Sequence, residues 1–66
     1  GYAELLAQTR CRTAAWWLLR GDATIAEIGY LCGYADQPHF TRQFRDRVGL
    51  TPARYRAEFA VPPGPA

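Results

Sequence analysis

The sequence lacks lysine and has only one histidine and two cysteines. No second cysteine follows Cys11 or Cys32 at the spacing of metal ligands, so the chain shows neither a disulfide framework nor a zinc signature. His39 has no carboxylate or thiol beside it in sequence, which leaves no nucleophile, base and orienting group to assemble. We therefore expect a protein that is not an enzyme and holds no metal or cofactor. Both cysteines are expected to be buried free thiols, in keeping with a reducing cytoplasm.

The sequence also lacks any run approaching the ~18 apolar residues of a membrane span, and it shows no signal peptide. This pattern predicts a cytoplasmic protein with no membrane partner. The 66 residues make one small domain, and 48% hydrophobic residues are enough for a compact core. All eight cations are arginine, a side chain whose planar fork suits phosphate and guanine. Five of them lie between residues 42 and 56.

Helical periodicity begins near the N-terminus. Residues 3–20 are rich in alanine and leucine and carry one apolar face at helical spacing. The predicted members of that face are Leu6, Cys11, Ala14, Trp17 and Leu18. Trp16 and Trp17 are expected to pack in the core and between helices, and Gly21 to end the helix as a left-handed cap. We assign residues 1–22 to this first, linking helix.

Two short helical segments joined by a glycine turn predict a helix-turn-helix over residues 24–48. Thr24 and Glu27 form a capping box at the start of the first segment. Its predicted inner face consists of Ile25, Ile28, Gly29 and Cys32. Gly33 provides the turn, and Asp36 is the predicted N-cap of the second segment.

The second segment, residues 37–48, has Pro38 in its first turn, where a missing N–H costs little. Phe40, Phe44 and Val48 repeat every four residues and define the predicted buried stripe. Gly29 costs roughly 1 kcal/mol against alanine within a helix, so we expect the backbone of this second segment to pack against it.

A closing helix is predicted from Thr51 and Pro52 onwards, and the unit as a whole covers residues 23–60. Residues 61–66, VPPGPA, are expected to form a disordered tail. The fold class is therefore all-α, a long helix packed on a three-helix helix-turn-helix unit.

The face of residues 37–48 opposite the phenylalanines is polar, and in a helix-turn-helix that face enters the major groove. Arg42 can pair with guanine and Gln37 with adenine, while Thr41 and His39 can reach base edges. Arg45 and Arg47 are expected to meet the DNA backbone. Thr24 begins a helix whose free amides suit a phosphate. A solvated surface explains the same composition.

The order of residues resembles the C-terminal half of the AraC/XylS-type DNA-binding domain. The similarity covers about residues 5–56 and includes AxWWL from Ala14 and TIAEIG from Thr24. Its most specific part is GYxDQxxFxRxFRxxxGxTPxxYR, which runs from Gly33 to Arg56. Gly29 stands where alanine is usual in that family.

The resemblance implies a sequence-specific transcription regulator. By position it places Gln37, Pro38, His39, Thr41 and Arg42 at the bases, and it makes the 23–60 unit the second of two helix-turn-helix units. We expect the chain to be part of a larger regulator whose first unit and effector domain are not in this sequence. The expected partners are double-stranded operator DNA and RNA polymerase, with association into oligomers through other regions and a location at the nucleoid. The alternative is a helical protein–protein module in which the first helix docks a partner and DNA is not touched.

Overall fold

Four α-helices run through residues 1–60, the part of the chain that the computed structural model describes. In chain order they are α1 (Tyr2–Arg20), α2 (Ile25–Leu31), α3 (Gln37–Val48) and α4 (Pro52–Phe59). This confirms the predicted all-α class and the predicted order of helices. The tail predicted for residues 61–66 lies outside the described residues.

The helix boundaries follow from local capping chemistry that the sequence displays. The Thr24 hydroxyl accepts from the Glu27 backbone N–H at 3.1 Å, and the Glu27 carboxylate accepts from the Thr24 N–H at 2.9 Å. The Asp36 carboxylate accepts from the His39 N–H at 2.8 Å to start α3. Gly33 has φ 95°, a left-handed conformation that costs glycine little. The predicted capping box, N-cap and glycine turn are therefore confirmed.

One stripe of α1 forms the floor of the core. Its buried members recur every three or four residues, which keeps them on a single helix face; they are Ala7, Cys11, Ala14 and Leu18. Ile28 of α2 and the two phenylalanines of α3, Phe40 and Phe44, pack onto this stripe and are fully buried. Each such side chain contributes roughly 1.5–3 kcal/mol by leaving water. Packing between α1 and each of the three other helices therefore organises the whole unit.

Two residues predicted to be buried are not. Val48 is 39% exposed, because it sits in the last turn of α3, off the line of the two phenylalanines. Trp16 is 53% exposed, because neighbouring residues on a helix point about 100° apart and only Trp17 can turn towards the core. The Arg20 guanidinium lies 4.6 Å from the centre of the Trp16 ring, a cation–π contact on the protein surface.

An arginine joins the last helix to the first. Nε of Arg56 donates to the backbone carbonyl of Leu18 at 3.2 Å. Leu18 lies in the final turn of α1, where carbonyls have no partner within the helix and where a cation interacts favourably with the helix dipole. Arg56 thus satisfies an acceptor at the end of α1 and holds α4 against it.

Gly29 lies at the closest approach of α2 and α3. A Cβ added at this position would lie 2.9 Å from Cδ2 of Phe40, closer than two carbons can sit in van der Waals contact. We expected the backbone of α3 to be the neighbour, and the structure shows the ring of Phe40 there instead. The absent side chain of Gly29 makes room for the Phe40 ring.

We expect Gly29→Ala to destabilise the fold by about 1 kcal/mol. Overpacking a filled core costs about 1–3 kcal/mol, and the better helix propensity of alanine returns about 1 kcal/mol. Denaturant unfolding followed by tryptophan fluorescence gives the free energy of unfolding. Adding Phe40→Leu should make the alanine better tolerated than in the parent background. A Gly29→Ala variant more stable than the parent would contradict the steric account.

Candidate nucleic-acid interface

Contacts in the turn before α3 and at its first residues set the direction of the helix. Tyr34 N–H donates to the carbonyl of Gly29 at 3.0 Å across the glycine turn, and Asp36 caps the helix start. Pro38 occupies the first turn, as predicted, and the Phe40 and Phe44 rings then hold one side of the helix in the core. The opposite side of α3 is consequently turned to solvent.

A continuous polar strip lies on that solvent side. Its members line a shallow surface groove and are Gln37, Pro38, Thr41, Arg42 and Arg45. Thr41 is half-buried and the other four are exposed. Arg42 stands about 180° around the helix from the midpoint of the two phenylalanines, at 100° per residue. The structure therefore brings four of the predicted base-contacting residues together with Arg45 on one accessible surface.

His39 lies on the other edge of the same face. It is exposed, and its ring meets the Tyr34 ring edge to face, with centroids 5.3 Å apart. Such a contact restricts the imidazole without covering it. His39 is thus available to a ligand while its ring rests against Tyr34.

Gln43 is also on α3, but it is committed to a partner within the protein. The Tyr34 hydroxyl donates to Oε1 of Gln43. Tyr34 is only 3% exposed, and burial, helped by the nearby Cys11 thiol, raises the pKa of Tyr34 to about 12. The pattern of residues gave no signal for this bond, because it joins the turn to a helix position nine residues later.

The three residues predicted to contact the DNA backbone lie in separate places on the protein. Arg45 belongs to the polar strip, with its guanidinium 4.0 Å from the exposed Asp46 carboxylate. Arg47 comes three residues after Phe44, which places it about 60° from that ring and about 140° from Arg42 around the helix. It lines a different groove, between α1, the end of α3 and Tyr55 of α4, together with Arg12. Arg47 is therefore not brought together with the strip.

Thr24, the third predicted backbone contact, starts α2 on the protein surface. The capping box already occupies the backbone N–H groups of Thr24 and Glu27. It also places the Glu27 carboxylate at this helix terminus, where a second anion meets repulsion. The contact between Thr24 and a phosphate stays a prediction.

Both cysteines are buried free thiols, as predicted. Burial raises the pKa of the Cys11 thiol and of the Cys32 thiol, so neither has the lowered pKa of a reactive cysteine. Within residues 1–60, no three side chains of His, Cys, Asp or Glu come together as a metal site requires. None of the four described helices combines the length and the apolar character needed to cross a membrane.

Comparison with known proteins identifies the family to which this helix-turn-helix belongs. The family described as "Helix-turn-helix domain" matches residues 1–58. The chain belongs to the AraC-type helix-turn-helix family. Members of this family are DNA-binding transcription regulators, and the resemblance drawn from residues 33–56 is confirmed.

Similar AraC-type proteins come from several bacteria. The chain is 38% identical over 55 residues to the transcriptional activator NphR of Rhodococcus sp, and the matched stretch covers 83% of this chain and 16% of NphR. It is 33% identical over 57 residues to the porin thermoregulatory protein EnvY of Escherichia coli, covering 86% of this chain and 22% of EnvY. It is 35% identical over 51 residues to the regulator ExsA of Pseudomonas aeruginosa, covering 77% of this chain and 18% of ExsA. The chain therefore spans less than a quarter of each of these three relatives, and no solved structure matches it.

The capping box should make the start of α2 sensitive to acid. Hydrogen bonds from the backbone N–H and the side chain of Thr24 lower the pKa of Glu27. A lowered pKa means that this carboxylate stabilises the fold above its ordinary pKa. The contribution is lost as the pH falls from that ordinary value through the lowered one. In an NMR titration, the Thr24 amide shift should follow the protonation of Glu27.

Glu27→Gln is the matched control for this titration, because glutamine can complete a capping box without a titrating group. Its Thr24 amide shift should stay constant over the same range. A Glu27 carboxyl that titrates at its ordinary pKa in the folded protein would contradict the assignment.

Proposed function

We propose that the polar strip of α3 enters the major groove of double-stranded DNA and reads its sequence. The observation that supports this most directly is the exposure of Gln37, Pro38, His39 and Arg42 on one side of a helix whose opposite side is fully buried. The major groove of B-DNA admits an α-helix, and a helix-turn-helix presents its second helix there. The AraC-type family of this chain supports the same use of α3.

The side chains of the strip, together with His39, suit base edges in different ways. Arg42 donates two parallel hydrogen bonds to guanine, and Gln37 both accepts from and donates to adenine. Thr41 offers a hydroxyl and a methyl group to thymine. His39 approaches from the other edge with a ring nitrogen, and Pro38 gives apolar contact near the helix start. These five residues are the proposed base-contacting set.

Arg45 is the proposed phosphate contact on the same surface. Its ion pair with Asp46 is long and exposed, and such pairs contribute little stability, so a phosphate can displace it. Arg47 faces the α1 groove instead, and the geometry favours Arg45 over Arg47 for the DNA backbone. Each phosphate contact steepens the log–log dependence of affinity on salt by about 0.9, so the measured slope shows how many contacts accompany Arg45.

We further propose that residues 1–22 link this second unit, residues 23–60, to other parts of a larger regulator. Large side chains on the face of α1 opposite the core support this, since they remain exposed; they are Tyr2, Leu5, Trp16 and Leu19. An apolar face of this kind marks an interaction surface. Oligomerisation and contact with RNA polymerase would then involve regions beyond residues 1–60.

The same apolar face of α1 favours a second candidate function, a helical protein–protein module. In that case the chain would associate through Trp16 and its neighbours, and α3 would not touch DNA. Salt distinguishes the two functions, because phosphate contacts weaken steeply with added salt whereas apolar contacts do not. The salt dependence of binding to duplex DNA therefore tests both functions.

Arg42→Ala should lower affinity for a preferred duplex by about 1–3 kcal/mol and relax the base preference at one position. The preferred duplex is obtained by selection from random sequences with the parent chain, and affinity is measured by fluorescence anisotropy at low salt. Arg12→Ala is the matched control, since it removes an equal charge from an exposed position on α1. Equal losses for both variants, or none for Arg42→Ala, would refute base contact by Arg42.

Arg45→Ala should make the salt slope shallower by about 0.9, the contribution of one phosphate contact. Arg47→Ala removes the same charge two residues away on α3, and we expect it to leave the slope nearly unchanged because Arg47 faces the α1 groove. Anisotropy titrations at four or more salt concentrations give both slopes. A larger change for Arg47→Ala would reverse the assignment of the two arginines.

A further inference from the structure

We propose that Tyr34 selects which side chains of α3 can read bases, because it withdraws Gln43 from base contact while it holds His39 in place. This inference rests on the proposed function of α3 and deepens it. Glutamine pairs well with adenine, and Gln43 follows directly after Arg42 on α3. The structure nevertheless engages it with the protein's own turn.

Contacts with three helices hold Tyr34 in place. Its backbone N–H is bonded to the Gly29 carbonyl at 3.0 Å, and its ring lies 5.2 Å from the Phe40 ring. The Arg10 guanidinium of α1 covers the ring at 5.3 Å from its centre. A ring held by three elements cannot follow Gln43 if that side chain swings towards DNA.

The chemistry of the bond opposes such a swing. Gln43 needs its carbonyl oxygen and its amide nitrogen together to pair bidentately with adenine. The oxygen accepts from the Tyr34 hydroxyl, so a bidentate pair would leave that buried hydroxyl with only the Cys11 thiol nearby, and sulfur is a weak acceptor. The penalty for an unsatisfied buried polar group is of the same size as the discrimination gained from one bidentate base contact. Gln43 therefore gains nothing by turning to a base.

Tyr34 acts in the opposite sense on His39. The same ring packs edge to face against the imidazole at 5.3 Å, which restricts an exposed base-contacting candidate. The Tyr34 hydroxyl is protonated throughout the neutral range, and burial raises its pKa further from that range, to about 12. The hydroxyl therefore remains a donor to Gln43 under every condition in which DNA binding would be measured.

A double-mutant cycle on the full chain tests this inference. The parent, Gln43→Ala, Tyr34→Phe and the double variant are each used to select sequences from a random duplex pool. Tyr34→Phe keeps the ring and its packing but removes the hydroxyl. We expect Gln43→Ala to select the same bases as the parent, and Tyr34→Phe to gain a preference for adenine of at least about 5-fold at one position, the low end of a bidentate contact. The gained preference should vanish in the double variant.

Either of two results would overturn the inference: a base preference lost in Gln43→Ala alone, or no preference gained in Tyr34→Phe. Arg42→Ala, run in the same selection, separates this failure from failure of the proposed function. If Arg42→Ala relaxes a base preference, α3 reads DNA whatever the cycle shows. If the parent itself selects no sequence, the proposed function fails and this inference fails with it.

A measurement on the unmodified chain tests the same inference even if one of the variants does not fold. The side-chain amide NH₂ signals of Gln37 and Gln43 can be followed by NMR as the selected duplex is added. We expect the Gln37 signals to shift and the Gln43 signals to change no more than those of Gln8 on α1. Shifts of equal size for both glutamines would overturn the inference without any substitution.

Discussion

The rings of Phe40 and Phe44, fully buried against α1 and α2, fix the rotation of α3 about its own axis. At 100° per residue, that rotation decides where every polar residue of the helix points. Arg42 is turned outwards and Arg47 is turned back towards α1 only because the two rings occupy the core. A helix anchored by alanines would leave this rotation loosely specified, since small side chains interlock poorly. The aromatic anchor is therefore as much a determinant of the interface as the residues that face solvent.

Such an anchor needs room, and a chain of this size has little stability to spare. Gly29 supplies the room by leaving the place of a side chain to the Phe40 ring. The aromatic contacts then continue from Phe44 to Tyr55, whose rings lie 5.5 Å apart, and the bond from Arg56 to Leu18 secures α4. The three contacts join different pairs of helices, namely α2 with α3, α3 with α4 and α4 with α1, so all four helices contribute to the position of α3.

Local signals in the sequence predicted the helices well. Capping at Asp36 and the positive φ of Gly33 depend on residues close in the chain, so both could be predicted without a structure. The polar face of α3 followed from periodicity for the same reason. Periodicity failed for Trp16, because a stretch rich in apolar residues on both faces does not show which face is covered. Contacts between distant residues, such as Arg56 with Leu18, leave no local signal.

The two edges of α3 differ in how much freedom their side chains retain. On one edge Thr41 and Arg45 line an open groove, and on the other His39 and Gln43 are held by the Tyr34 ring and hydroxyl. A side chain ordered only on binding costs about 0.5–1.5 kcal/mol of affinity, whereas one already held does not. On the held edge, His39 can therefore meet a duplex at low entropic cost in the proposed complex, while Gln43 stays bonded to Tyr34. The free edge retains the long arginines that can adapt to phosphates and guanines at slightly different positions.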